Sequence, residues 1–302
     1  MLKDKITEFF VSIDDFCIDF ELEIQKHLLE SSTNKSRKRA ASLADSEIMS
    51  ILVMFHYGQF SNFKSYYNHF VCPHMKDLFP GLVSYNRFVE LQGRVAIPLM
   101  LFLKLKGLGT TTGISFVDST PLRSCHNRRI HQHKTFKGIA ERGQCSLGWF
   151  FGFKLHLIIN DKGEILSFYL TKGNVDDRNF KVMRSMTENL FGKLFGDKGY
   201  ISKALSDLLF GNGIQLVAKP RKNMKNQSIT PNDRILLRKR AIIECVNDEL
   251  KNMCKLEHTR HRSVNNFLIN ILGALTAYCF FPKKPSLNIE FELPSVQLSL
   301  CA

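Results

Sequence analysis

Two aspartates of this chain close otherwise apolar runs, where a charge has no packing reason to be. Asp118 ends the run in GISFVDST, and Asp197 follows KLFG in LFGDKGY. A carboxylate at the exit of a strand can face a cleft beside the sheet, the usual place for function in open sheets. Two such groups on neighbouring strands repel one another and need cations. An all-oxygen set suits Mg²⁺, for which Mn²⁺ can substitute. The plainer reading of Asp118 is a turn cap with Ser119 and Pro121. Gly196 and Gly199 flank Asp197 and would let a phosphate backbone come close.

A third carboxylate must come from the long helical stretch that follows. Glu244, Asp248, Glu249 and Glu257 are the candidates there. Arg240, Glu244 and Lys251 are spaced to share one helical face. That stripe is either a surface ion-pair row or a metal ligand between two phosphate contacts. After Asp118 comes RSCHNRRIHQHKTFKG, with Arg123, Arg128 and Arg129 and no acid, and Lys198 stands next to Asp197. Such cations suit DNA phosphates, whose neutralisation dominates affinity. The histidines of that loop, with Cys125 and Cys145, match no usual zinc spacing. His156 reads as a packed strand histidine, Asp176 and Asp177 as caps of the next helix, and Trp149, the only Trp, as a core residue.

These side chains need a scaffold, and the pattern supplies one. Up to about residue 110 it is helical: Ile6 to Leu29, then Glu47 to His56 behind Ser42 and Asp45, then Asn62 to Phe70 with Lys64, Tyr66 and Tyr67. The last two permit a helix-turn-helix or an ordinary helical hairpin. A basic linker with Lys35, Arg37, Lys38 and Arg39 separates them from the first helix. Ser84 opens a further helix that Pro98 kinks and Gly107 ends. Past Gly113 strands begin. In FFGFKLHLIIN, residues Phe151, Phe153, Leu155, Leu157 and Ile159 share a face, and ILSFYLTKG returns beside it. A helix, the strand before Asp197, a helix, the strand IQLVAKP and a long helix from Asp233 to Leu256 follow. That order predicts a ribonuclease-H-like α/β fold: a mixed sheet with flanking helices, preceded by a helical N-terminal region. The expected division is 1–110 helical, 111–283 catalytic and 284–302 a tail.

Composition narrows the partner. With 42 Lys and Arg against 28 Asp and Glu the formal charge is +14, which points to a polyanion. Hydrophobic residues make up 44%, enough for a core. The opening MLKDKITEFF lacks the features of a signal peptide, and Phe267 to Phe281 is too short to span a bilayer. A cytosolic chain with reduced thiols and no membrane partner is expected.

At the carboxylates the sequence resembles the aspartate–aspartate–glutamate (DDE) transposases of bacterial insertion sequences. One large group of these carries Tyr-x2-Arg-x3-Glu-x6-Lys on a late helix. Arg240, Glu244 and Lys251 match that spacing, and Leu237 stands at the Tyr position. The phrases SYNRFVEL, DSTPL, GDKGYIS and IIECVNDELKN are similar to the insertion-sequence 982 family. The resemblance covers Leu43 to Phe281. It implies Asp118, Asp197 and Glu244 as catalytic metal ligands holding two ions, with Asp118 bridging them. It further implies cleavage at terminal inverted repeats, transfer of the 3′-hydroxyl into target DNA, and a homodimer on DNA in a bacterial cytoplasm. A nuclease of the same fold that cuts without joining, or a non-catalytic DNA-binding derivative, are the alternatives.

Overall fold

The computed structural model describes residues 2–31, 42–146, 148–219, 229–257 and 261–287. The basic linker with Lys35, Arg37, Lys38 and Arg39, most of the polar stretch after IQLVAKP, and the tail from residue 288 lie outside the described residues.

The N-terminal part is helical. Helix α1 spans Leu2–Ser31 and α2 Asp45–Tyr57. Ala44, not Ser42, is the N-cap of α2, and Glu47 accepts its backbone N–H at 2.7 Å. Most of α2 is buried, so it is a core helix rather than an exposed reading head. Two short helices, α3 (Phe63–Tyr66) and α4 (Cys72–His74), enclose a π-helical turn at Tyr67–Val71. Tyr66 and Tyr67 point inward and donate to the carbonyls of Ile51 and Val83, at 3.0 and 2.7 Å. Of the three residues singled out there, only Lys64 faces outward. Ser84 caps α5 (Tyr85–Leu91), and α6 (Ala96–Phe102) follows after a 3-10 turn at Gln92–Val95. Pro98 has no N–H for the carbonyl four residues back, which accounts for the tightened turn there.

Strands β1 (Ile114–Cys125), β2 (Glu141–Cys145), β3 (Gly148–Asn160) and β4 (Ile165–Lys172) are antiparallel neighbours. Helix α7 (Phe180–Thr187), β5 (Gly192–Gly196), α8 (Lys203–Gly211) and β6 (Ile214–Ala218) come next. β5 lies parallel to both β1 and β6. The sheet therefore runs β4-β3-β1-β5-β6, with β2 set end to end with β4 along the same edge of β3. This is the ribonuclease-H-like mixed sheet with flanking helices. β2 is an addition to the five expected strands, and ERGQC has no apolar alternation to announce it.

Helices α9 (Pro231–Lys239) and α10 (Ala241–Asp248), a π-helical turn at Glu249–Met253, and α11 (Val264–Cys279) complete the chain. The single long helix expected over 233–256 is thus broken twice. The alternating residues Phe151, Phe153, Leu155, Leu157 and Ile159 all enter one core with α1, α2, α10 and α11, while Val117, Ile158 and Leu194 enter a second core under α7 and α8. Among the described residues no helix is long and apolar enough to cross a membrane.

Candidate active site and nucleic-acid cleft

β1 outruns its parallel neighbour. The two strands pair only through Ile114↔Lys193, Ser115↔Leu194 and Phe116↔Phe195, with the two Phe rings 5.5 Å apart. Asp118 therefore sits in the middle of a twelve-residue strand and not at its end, which corrects the sequence expectation. Pairing with β3 carries β1 on to Cys125, and Pro121 is tolerated because that flank has become an edge. What ends near Asp118 is β5. Asp197 stays extended (φ −74°, ψ 170°) one residue past it. Asp197 is exposed and is not among the charges that act on Asp118; a continuation of the β1–β5 register by two residues would bring the two aspartates side by side. Gly196 makes room for the Tyr200 ring, which a Cβ there would meet at 3.2 Å, whereas Gly199 faces open space.

Asp118 is half-buried, and Asn247 Nδ2 donates to its Oδ2 at 3.2 Å. Burial pushes its carboxyl up to about 6; the Arg240 guanidinium and the Ser119 N–H oppose this, and the charges of Glu244 and Asp177 reinforce it. Arg240 Nη2 donates to Glu244 Oε1 at 2.8 Å across one helical turn, and only 18% of the Arg240 side chain is exposed, against 60% for Glu244. One guanidinium thus serves both carboxylates. The other helix candidates face elsewhere. Asp248 accepts from Asn252 at 2.5 Å, and Glu249 feels Lys284. Glu257 accepts the Arg123 N–H at 3.3 Å and lies 3.7 Å from Lys251. Only Glu244 shares the field of Asp118.

Lys251 leaves the stripe expected of it. The π-helical turn, with Cys254 N–H bonded to the Glu249 carbonyl at 3.0 Å, inserts a residue and turns Lys251 out of line with Arg240 and Glu244. It instead lines a cleft of about 1100 Å³ with Arg123, Arg129 and Arg262, where Glu257 is the single acid among the described residues. Arg128 is exposed outside this cleft, and Lys198 is exposed beside Asp197. The cleft follows the far end of β1, five residues or roughly 17 Å from Asp118.

The opposite face of the sheet carries groups that sequence reasoning had set aside. Asp177 was expected to cap a helix, but Asn179 is the N-cap of α7, bonded to the N–H groups of Lys181 and Val182. Asp177 Oδ1 instead accepts from Ser119 Oγ at 2.8 Å and Lys154 Nζ at 3.1 Å. Asp176 pairs with Arg178, which holds its carboxyl down at about 2. His156 is buried as expected, with Nε2 2.9 Å from Thr171 Oγ1. Trp149 is not a core residue: it is 63% exposed on the β2–β3 hairpin. Asn247 gave no sequence signal, since an amide inside a helix is commonplace, and Asp177 was read only as a cap because an acid in a turn usually is one.

Among the described residues no three His, Cys, Asp or Glu side chains close on one point. The donor set nevertheless suits hard divalent cations. The desolvated Asp118 carboxylate feels the charge of Glu244, and the buried Asn247 Oδ1 beside it has no hydrogen-bond partner.

A family model described as a transposase DDE domain matches residues 108–264, just over half of the chain. No curated protein matches it. Among solved structures the chain is similar to the piggyBac transposase in a synaptic complex with hairpin DNA. That match has 10% identity and a TM-score of 0.45, covering 90% of this chain and 70% of that one. The Mos1 strand transfer complex is a second, with 11% identity, a TM-score of 0.21 and coverage of 87% and 84%.

Proposed function

The chain belongs to the transposase DDE-domain family, and from that premise we propose that it cuts DNA at the ends of a mobile element and joins those ends to target DNA. The observation that carries this reading is the shared field of Asp118 and Glu244. They come from β1 and α10, lie inside the matched span, and have Arg240 between them.

Asp118, Asp197 and Glu244 are the residues we assign to hold divalent cations, Mg²⁺ or Mn²⁺, two per site. Bound there, the cations would supply Lewis-acid charge to the phosphodiester. Asn247 orients Asp118 by donating to its Oδ2. Arg240 keeps Glu244 at the site through their ion pair. Arg123, Arg129 and Lys251 bind the DNA backbone in the cleft beyond, with Arg128 and Lys198 as outer contacts. No covalent protein–DNA intermediate is required, so no Ser or Tyr nucleophile is assigned. The working unit we propose is a dimer that pairs two DNA ends, in a bacterial cytoplasm, within the insertion-sequence 982 group.

The test uses the gene with its natural flanking DNA as substrate and purified full-length protein with Mg²⁺. Wild type should yield cut ends and joined products, whereas Asp118→Ala, Asp197→Ala and Glu244→Gln should bind the same DNA and yield neither. Cutting without joining would support the nuclease alternative. Normal cutting by Glu244→Gln would remove α10 from the site.

A further inference from the structure

A second cavity, of about 530 Å³, lies between the helical region and the start of α11. Its size falls within the range of about 300–1000 Å³ that holds small organic ligands. Its chemistry is unusual for a gap between helices, because five carboxamides line it: Asn62, Asn86, Gln92, Asn266 and Asn270. One of them is short of a partner: Asn270 Nδ2 is buried without a hydrogen bond, and Gln92 beside the same cavity is only 6% exposed. Buried amides are normally paired, so an unpaired amide among the residues lining a cavity points to a ligand with its own acceptors. The Phe63 and Tyr85 rings, 6.4 Å apart and tilted by 43°, each offer an aromatic face, and Lys64 Nζ lies 5.9 Å from the Tyr85 ring centre. Among the described residues no acid lines the cavity.

This cavity is joined to the basic cleft. His261 and Arg262 line both, so a strand whose phosphates lie along the cleft passes its mouth. From amides, aromatic faces and that continuity, we infer that the cavity is a base-reading pocket, taking one unstacked adenine of a DNA strand held in the cleft. A carboxamide offers a donor and an acceptor side by side, which match N7 and the amino group of adenine, and stacking on the ring adds affinity that any base would share. The inference rests on the DNA reading above, and it places part of end recognition here and not on an exposed helix-turn-helix.

The experiment measures binding of full-length protein to two fluorescent twelve-nucleotide strands at fixed salt. One is all thymidine, and the other has a single central adenine. Wild type should prefer the adenine strand by about tenfold. Gln92→Met, close in shape to the native side chain, and Asn86→Ala, on the exposed rim, should each bring that ratio to one while keeping the affinity for thymidine. Asn86→Ala leaves the buried wall intact, so it tests the pocket even if Gln92→Met unfolds. Equal binding of both strands by wild type overturns the inference and leaves the DNA reading standing. Failure to bind either strand also overturns the inference, and loss of binding to the duplex flanking DNA in the same assay is what would sink the DNA reading. Free dAMP binding as tightly as the adenine strand would overturn the strand-borne ligand.

Discussion

Replacing Asp118 by Asn should destroy activity and, in the absence of metal, make the protein more stable. The carboxyl is raised from an ordinary 3.8 to about 6, chiefly by burial. The folded state therefore keeps this proton between about pH 4 and 6, where the unfolded chain has lost it. The contribution is fully present below pH 4 and is lost as pH rises through about 6. A shift of about two units corresponds to about 3 kcal/mol. Asn keeps the size and carries no charge, so at pH 8 the variant should gain up to that amount, roughly 6 °C in Tm for a chain of this length. Thermal melts from pH 4 to 8 in a chelating buffer would show it: wild type loses stability across the window and the variant loses less. Mg²⁺ should then raise the wild-type Tm and leave the variant unmoved. A variant that melts at or below wild type at pH 8, with a parallel pH dependence, would refute the claim that burial of this charge strains the fold.

Changing Arg123, Arg129 or Lys251 to Ala should weaken DNA binding for all sequences alike and lower the log–log salt slope by about one each, as read by titration at several salt concentrations. Lys154→Met leaves Asp177 without its ammonium partner near Asp118, so the acid limb of the pH–rate profile should move to higher pH. An unmoved limb with lower activity would assign Lys154 to packing. A fragment of residues 1–110 would expose the faces that α1 and α2 bury against α11 and the sheet. It should bind a hydrophobic dye and melt without a cooperative transition, whereas a sharp melt would show an independent helical domain.

The sheet was legible because its central strands are fully committed. Five alternating apolar residues of β3 leave one register in which they all face a core, and the apolar run before Asp118 is buried on both sides. The polar half of β1 was not legible, since Ser119 to Cys125 reads as a turn until β3 is seen to pair with it. Asp118 and Asp197 could be picked out as charges where packing wanted none. Glu244 needed the family signature, because its neighbours Asp248 and Glu249 have the same local character. Trp149 misled because burial is the default for a large ring. On this hairpin the ring has no second layer to pack against. The expected alignment of Lys251 with Arg240 and Glu244 rested on constant helical pitch, and residue types do not report a local π turn.

That turn makes one stretch of backbone answer to two directions. Residues before it present Arg240 to Glu244 and Asn247 to Asp118, and the turn itself presents Lys251 to the cleft while Leu250 and, just past it, Cys254 stay in the core. The offset depends on one extra residue, and a regular helix turns by about 100° per residue. Deleting any one position from Glu249 to Met253 would rewind the segment and swing everything after it by that angle. Leu256, 1% exposed, would leave the interior. A point substitution such as Lys251→Arg keeps the angular setting. Length, more than residue identity, is therefore the quantity this stretch must hold constant, and natural variants should show exchanges here without insertions or deletions.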